Sequence, residues 1–165
     1  MRFFSGAFVS AKRVLLLVCF CSVMVSAAVF AAPLNVGDEY GGGKVVYLLQ
    51  PGEKGYEENE LHGLIVAKED LQDELLSWSD AKVAVAGLEI GGNKGWVLPN
   101  VKVLIWLYQN KYLVGGFREY SYYWSGSEFD KQRALVVDFY NGDTVISVKS
   151  GALLGVRRVR PVRSF

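Results

Sequence analysis

The chain has 165 residues, of which 51% are hydrophobic, 13% aromatic and 21% charged, and its formal net charge is +1. This composition excludes a disordered, highly charged protein and a collagen-like protein. A chain of this length is expected to form one domain that buries about two-thirds of the surface exposed by its unfolded state.

The first 31 residues have the pattern of a secretory signal peptide. Two basic residues precede an apolar run, 14–25, and small residues follow up to Ala31. A membrane-spanning helix would need about 20 apolar residues. We therefore predict export to the periplasm or the extracellular space, with cleavage after Ala31 or, as the alternative, after Ala28. Cys19 and Cys21 lie in this segment, so the predicted mature chain has no disulfide.

The mature part, 32–165, is predicted to form a single domain that begins with two strands. Residues 44–50 and 61–67 are rich in β-branched and apolar side chains, and the acidic stretch between them is typical of a solvated loop. A short helix is predicted next. The segment 77–80 (Ser-Trp-Ser-Asp) offers side chains that can cap its start, and it ends near Ala86, just before a glycine.

A second helix is predicted from Asn100, which can cap it, to about Tyr112, because apolar residues recur at helical spacing. The strands predicted after it are 121–125, 134–140, 144–149 and 156–162. Asn141 and Gly142 join two of these strands and are the pair favoured in a type I′ turn. Helices followed by a run of strands indicate an α+β fold, with two short helices packed on a mainly antiparallel sheet.

Eight short motifs along the chain carry a resemblance to a known family. They are 42–43, 61–67, 95–99, 107–108, 115–117, 123–128, 138–142 and 159–165. In this order they resemble the DUF1566 family, also called the Lcl C-terminal domain family, over residues 36–165. The resemblance implies a C-type-lectin-like fold and an exported bacterial binding or adhesion module without enzymatic activity. The domain of the founding adhesin is associated with binding of sulfated polysaccharides.

Acidic and basic residues are segregated along the predicted mature chain. Residues 32–92 contain 12 acidic and 4 basic residues, a net charge of −8. Residues 93–165 contain 5 acidic and 11 basic residues, a net charge of +6. The two halves either pair across the fold or leave a basic surface, and a basic surface would attract polyanions.

Basic residues near the end of the chain are the main candidates for ligand binding. Guanidinium groups form paired hydrogen bonds with sulfate and phosphate, and on a strand Arg158 and Arg160 share one face. The alternative for Arg160 and Arg163 is an internal ion pair with Glu128 or Asp138. The full set of predicted ligand-binding residues is Arg157, Arg158, Arg160, Arg163, Lys149, Arg133, Tyr120 and Tyr122.

The tyrosines of this set could form an aromatic platform for a sugar ring. Strand periodicity directs Tyr120, Tyr122 and Trp124 to one face and Tyr123 to the other. Packing in the core is the alternative interpretation for these residues. The four tryptophans are interpreted first as core residues, because a domain without disulfides needs large apolar side chains in its interior.

Other chemistry has little support in the sequence. His62 is the only histidine and is interpreted as packed or capping rather than as a metal ligand. Asp138, Asn141 and Asp143 could offer oxygen atoms to calcium, but their spacing is also that of a plain hairpin. No P-loop, dinucleotide-binding motif or Ser-His-Asp order occurs.

We therefore expect a non-enzymatic module that binds a sulfated or otherwise anionic glycan, with no cofactor, no metal and no nucleic-acid partner. The first alternative is a protein-interaction module of the cell envelope or a secreted effector. The second is a hydrolase, which would need carboxylates with shifted pKa values in a concave pocket.

Overall fold

The structure is a computed structural model that describes residues 33–71, 75–151 and 154–165. The predicted signal peptide, with both cysteines, lies outside these residues. The elements of the described residues, in chain order, are β1 (Glu39–Tyr40), β2 (Gly43–Leu48), β3 (Gly63–Ala67), β4 (Leu76–Ser77), α1 (Trp78–Ala86), α2 (Val101–Gln109), α3 (Lys111–Val114), β5 (Tyr122–Glu128), β6 (Arg133–Asp138), β7 (Thr144–Val148), β8 (Val156–Arg157) and β9 (Val162–Ser164).

The described strands form three antiparallel sheets. The first has the strand order β1-β2-β3-β9, the second pairs β4 with β8, and the third has the order β5-β6-β7. A parallel bridge between Tyr123 and Arg158 links β5 to the residue after β8. The α+β class and the mainly antiparallel pairing are therefore confirmed. None of the described helices has the length and apolar character needed to cross a membrane.

Both predicted helices begin at the predicted capping residues. The side chains of Ser77 and Asn100 each accept a hydrogen bond from the backbone N–H three residues later, which satisfies a donor of the first turn. The prediction of one continuous second helix is wrong, because Asn110 separates α2 from α3. Its side-chain amide donates back to the Trp106 carbonyl oxygen, and such side-chain bonds compete with regular helix continuation.

The prediction of one final strand over 156–162 is also wrong. β8 pairs with β4 whereas β9 pairs with β3, so the two ends of this segment lie in different sheets. Between them Arg160 is fully buried. Pro161 follows it and has no backbone N–H to donate to a neighbouring strand.

Helices α1 and α2 pack on opposite faces of β5. Leu104 and Leu107 of α2 share a buried cluster with Tyr123, and Val85 of α1 shares another with Trp124. Each such buried side chain contributes about 1.5–3 kcal/mol of transfer free energy. The predicted core position of the tryptophans is confirmed for three of them, which are Trp78, Trp96 and Trp124, and the fourth, Trp106, is half-buried.

The hairpin loop between β6 and β7 does not contain the predicted type I′ turn. Of its central pair only Gly142 has a positive φ, 85°, and the Gly142 N–H donates to the Asp138 carbonyl oxygen at 2.7 Å. The Asn141 side chain instead accepts a hydrogen bond from the Asp143 N–H. This wider loop allows Phe139 to enter the core, where it is fully buried.

We expect Gly142→Ala to lower the free energy of unfolding by about 2–4 kcal/mol. A methyl group at this position would lie 2.3 Å from a ring carbon of Tyr108, and the positive φ adds backbone strain. Urea denaturation followed by tryptophan fluorescence measures the loss. Gly92→Ala is the matched control, because Gly92 has a φ of 77° and its new methyl group would meet nothing within 4 Å. Equal losses in the two variants would contradict the steric argument.

Candidate functional site

Two of the predicted binding arginines turn towards one internal carboxylate. Arg160 is fully buried, and its Nε and Nη2 atoms lie 2.9 and 2.8 Å from Asp70 Oδ1. Arg158 Nη1 lies 3.7 Å from the other oxygen of Asp70. The internal ion pair considered for Arg160 is therefore present, with Asp70 as the partner in place of the two carboxylates named from the sequence. Arg160 is a structural residue and has no surface to offer a ligand.

Two further predicted binding residues are neutralised by nearby carboxylates. Lys149 Nζ lies 2.5 Å from Glu128 Oε2, and Arg133 Nη2 lies 2.6 Å from Asp130 Oδ2. The hydrogen bond from Lys149 lowers the pKa of the Glu128 carboxyl group, and that from Arg133 lowers the pKa of Asp130. Arg133, Lys149, Arg158 and Arg160 are thus paired within the fold, so these four predicted binding residues do not form a free basic surface.

Arg157 and Arg163 have no carboxylate partner within the described residues. Arg163 donates from Nε to the Lys94 carbonyl oxygen at 2.8 Å. The Arg157 guanidinium lies over the Tyr122 ring at 5.4 Å and near the Trp124 ring at 5.9 Å. Its Nε atom is buried without a hydrogen-bond partner, and burial lowers the pKa of Arg157. This arginine is therefore held in place by aromatic rings, and no carboxylate of the described residues neutralises its charge.

Tyr120 lies just before β5 and stacks on Tyr140, which belongs to the hairpin loop after β6. The ring centroids are 5.0 Å apart, and the two residues are 74% and 62% exposed. Tyr120 has a φ of 58°. A bulky residue in this region costs about 1–3 kcal/mol and is found where the surroundings impose it, often at functional sites. Phe117, which packs 4.7 Å from Phe139, anchors the same loop.

These tyrosines border a small cleft of about 190 Å³. The residues that line it are Lys111, Tyr112, Glu119, Tyr120, Phe139 and Tyr140. Lys111 donates to the Phe139 carbonyl oxygen at 3.2 Å and lies 5.4 Å from the centre of the Tyr112 ring. The cleft therefore combines aromatic faces with one cationic and one anionic side chain.

Asp138 connects this cleft to Arg157. Its carboxylate accepts a hydrogen bond from the Tyr140 N–H at 2.9 Å and lies near the Tyr122 hydroxyl group. The negative charge of Asp138 raises the pKa of Tyr122. Tyr120 and Tyr122 thus do not share one strand face. They belong to two neighbouring pairs, Tyr120 with Tyr140 and Tyr122 with Arg157, and we call these four residues the tyrosine–arginine surface.

The oxygen atoms considered for calcium are engaged in hydrogen bonds of their own loop. Asp138 has the partner given above, and Asn141 donates from Nδ2 to Asp143 Oδ2 at 2.6 Å. These contacts are sufficient to explain why the three polar residues occur together in the hairpin.

Five of the six residues that line the cleft were not predicted from the sequence, namely Lys111, Tyr112, Glu119, Phe139 and Tyr140. They come from the short helix α3, the loop before β5 and the hairpin after β6, so no common periodicity relates them. One signal was available for Tyr140, because an aromatic residue beside Asn141 and Gly142 lies at the tip of a hairpin and is expected to be exposed.

Comparison with known proteins adds no relative to this description. Neither a family model nor a curated protein matches the chain.

Proposed function

We propose that the protein is an exported, non-enzymatic module of the DUF1566 or Lcl C-terminal domain type, with a C-type-lectin-like fold, that binds an anionic glycan at the tyrosine–arginine surface. The signal-peptide pattern supports export to the periplasm or the extracellular space, and the order of motifs supports the family. The observation that carries the binding role is the strained and exposed Tyr120, stacked on the exposed Tyr140.

The cleft has groups that suit a saccharide. Exposed tyrosine rings offer apolar faces for the C–H groups of a sugar ring and lose little conformational entropy on binding. Lys111 can donate hydrogen bonds to sugar hydroxyl groups, and Glu119 can accept them.

Arg157 supplies the preference for a negatively charged group on the sugar. Its guanidinium group contacts a carbonyl oxygen and two aromatic rings but no carboxylate among the described residues, so its charge is available to a sulfate or carboxylate group on the sugar. Stacking on Tyr122 limits the movement of the guanidinium group, so little entropy would be lost when the anion binds. The neighbouring Asp138 carboxylate already accepts a hydrogen bond from the Tyr140 N–H.

Retention on immobilised heparin, a sulfated polysaccharide, tests this proposal. We expect the purified protein to bind at low ionic strength and to elute with salt, because exposed charges are screened as the salt concentration rises. Arg157→Ala should weaken binding by about 10–100-fold, since one charge-assisted hydrogen-bonded contact of about 1.5–3 kcal/mol is lost.

Arg133→Ala is the matched control for this experiment. It removes the same side chain from an exposed position where Asp130 already neutralises the charge. We expect its retention to match that of the unchanged protein. Failure of the unchanged protein to bind, or equal losses in the two variants, would contradict a specific role for Arg157.

A protein-interaction module is the second candidate function, and the same surface favours it because tyrosine and arginine dominate binding energy in protein interfaces. Measurements with neutral and sulfated oligosaccharides separate the two candidates. Binding of a protein partner that depends on Tyr120, with no binding of either saccharide class, would favour the interaction module.

A further inference from the structure

The acidic loop between β2 and β3 leads into a cluster of three metal-ligating side chains. One carboxylate oxygen each from Glu57 and Glu60 and one ring nitrogen of His62 all lie within 4.8 Å of one another. The two glutamates are exposed and His62 is half-buried at the end of the loop. From this arrangement we propose that Glu57, Glu60 and His62 form a binding site for Zn²⁺, independent of the glycan site.

The His62 ring is held by a hydrogen bond on its other nitrogen. Nδ1 lies 3.2 Å from the main-chain oxygen of Phe165, and an oxygen of this kind only accepts, so Nδ1 carries the proton. In the neutral ring with this tautomer, the Nε2 atom presents a lone pair. Metal-ligating histidines are typically oriented in this way, with the second ring nitrogen donating to a carbonyl or carboxylate.

The Nε2 atom is buried and has no hydrogen-bond partner among the residues that the structure describes. It lies 3.4 Å from Glu60 Oε2. A lone pair facing a carboxylate oxygen is repulsive unless a positive charge lies between them, and the candidates for that charge are a proton and a metal ion. Glu57 adds a second carboxylate at the same place, which favours a divalent cation over a single proton.

The distances fit tetrahedral zinc coordination. Bonds of about 2.0–2.2 Å from zinc to nitrogen and oxygen place neighbouring ligand atoms about 3.4 Å apart in a tetrahedron. The separation between His62 Nε2 and Glu60 Oε2 has this value. The exposed Glu57 side chain can rotate to reach a similar distance, and the fourth position is left for water.

The ligand set and the charge of the loop favour zinc over calcium and magnesium. Calcium and magnesium prefer oxygen ligands only, whereas one imidazole with two carboxylates is a combination that zinc accepts. Residues 51–60 include four acidic residues and one basic residue. A bound dication would reduce the repulsion among these carboxylates and fix the loop against β3.

Calorimetric titration of the metal-free protein with ZnCl₂ at neutral pH tests the proposal. We expect one saturable site. His62→Gln and Glu60→Gln should each weaken Zn²⁺ binding by more than about 100-fold, because even the loss of a residue that only orients a ligand costs 10–100-fold. Titration with CaCl₂ or MgCl₂ should give no comparable site.

Glu58→Gln is the matched control, since it removes the same charge from the same exposed loop without removing a ligand. It should leave the affinity for Zn²⁺ nearly unchanged. Circular dichroism of each variant checks that the fold is retained. The proposal is overturned if the unchanged protein has no saturable site, if His62→Gln binds Zn²⁺ as tightly as the unchanged protein, or if Glu58→Gln loses as much affinity as Glu60→Gln.

Discussion

Asp70→Asn is expected to lower the free energy of unfolding by about 3–5 kcal/mol, a large part of the 5–15 kcal/mol typical of a folded domain. Asp70 is the negative partner of the fully buried Arg160 and also accepts a hydrogen bond from the Tyr123 hydroxyl group at 2.9 Å. An amide retains the shape of the side chain but removes its charge, so the Arg160 guanidinium would remain buried without compensation. Urea denaturation followed by tryptophan fluorescence measures the loss.

Asp130→Asn is the control for this substitution. Asp130 forms an ion pair with Arg133 in which both side chains are partly exposed, and such pairs contribute about 0–1 kcal/mol. A double-mutant cycle with Arg160→Met then tests the assigned partner. We expect a strong coupling free energy between positions 70 and 160, because each single variant leaves a polar group unpaired. Similar losses for the two aspartate variants would show that burial does not strengthen the Asp70 pair.

The Asp70–Arg160 ion pair also changes how the effects of substitutions at the basic residues are interpreted. Arg160 was a predicted ligand-binding residue, yet its guanidinium donates to Asp70 and to the carbonyl oxygen of Gly115 at 3.0 Å. A substitution of Arg160 that abolished glycan binding would therefore report unfolding rather than a lost contact with the glycan. Arg157 is the better position to test, because the described residues provide it with no ion-pair partner.

The sequence predicted those parts of the fold that depend on residues close together in the chain. The capping side chains of Ser77 and Asn100 and the periodicity after them are local, and both helix starts are as predicted. The break at Arg160 depends on a contact with Asp70, which lies 90 positions earlier in the chain. No pattern within a short window contains that information, so a continuous strand was the natural prediction for an alternating segment.

The candidate site was likewise predicted only in the parts that depend on residues close together in the chain. Residue composition identified the basic half and the aromatic segment, and Tyr120, Tyr122 and Arg157 lie on the proposed binding surface. The pairing of Tyr120 with Tyr140 across two loops, and the neutralisation of Lys149 by Glu128, depend on tertiary structure. Charge counts along a chain therefore overestimate the free charge that the folded protein presents.

The second large effect is expected at Tyr120, where substitutions should affect glycan binding and stability differently. Tyr120→Ala and Tyr120→Gly both remove the exposed ring from the cleft. If this ring is a central contact for the sugar, each should weaken glycan binding by about 2 kcal/mol, or roughly 30-fold. Retention on heparin or calorimetry with a sulfated oligosaccharide measures the loss. Tyr47→Ala removes another exposed tyrosine, one outside the tyrosine–arginine surface, and should leave binding unchanged.

We expect the glycine variant to be more stable than the alanine variant. At most helix and strand positions the order is the reverse. Alanine at position 120 would keep the unfavourable φ of 58°, which costs an L-residue about 1–2 kcal/mol, whereas glycine adopts this conformation freely. We therefore expect Tyr120→Gly to unfold at a higher urea concentration than Tyr120→Ala, while the two bind the glycan equally weakly. An alanine variant as stable as the glycine variant would show that the backbone at this position is not strained. Full binding by either variant would remove the main support for the glycan site, because the strained tyrosine would then serve only the packing of its own loop.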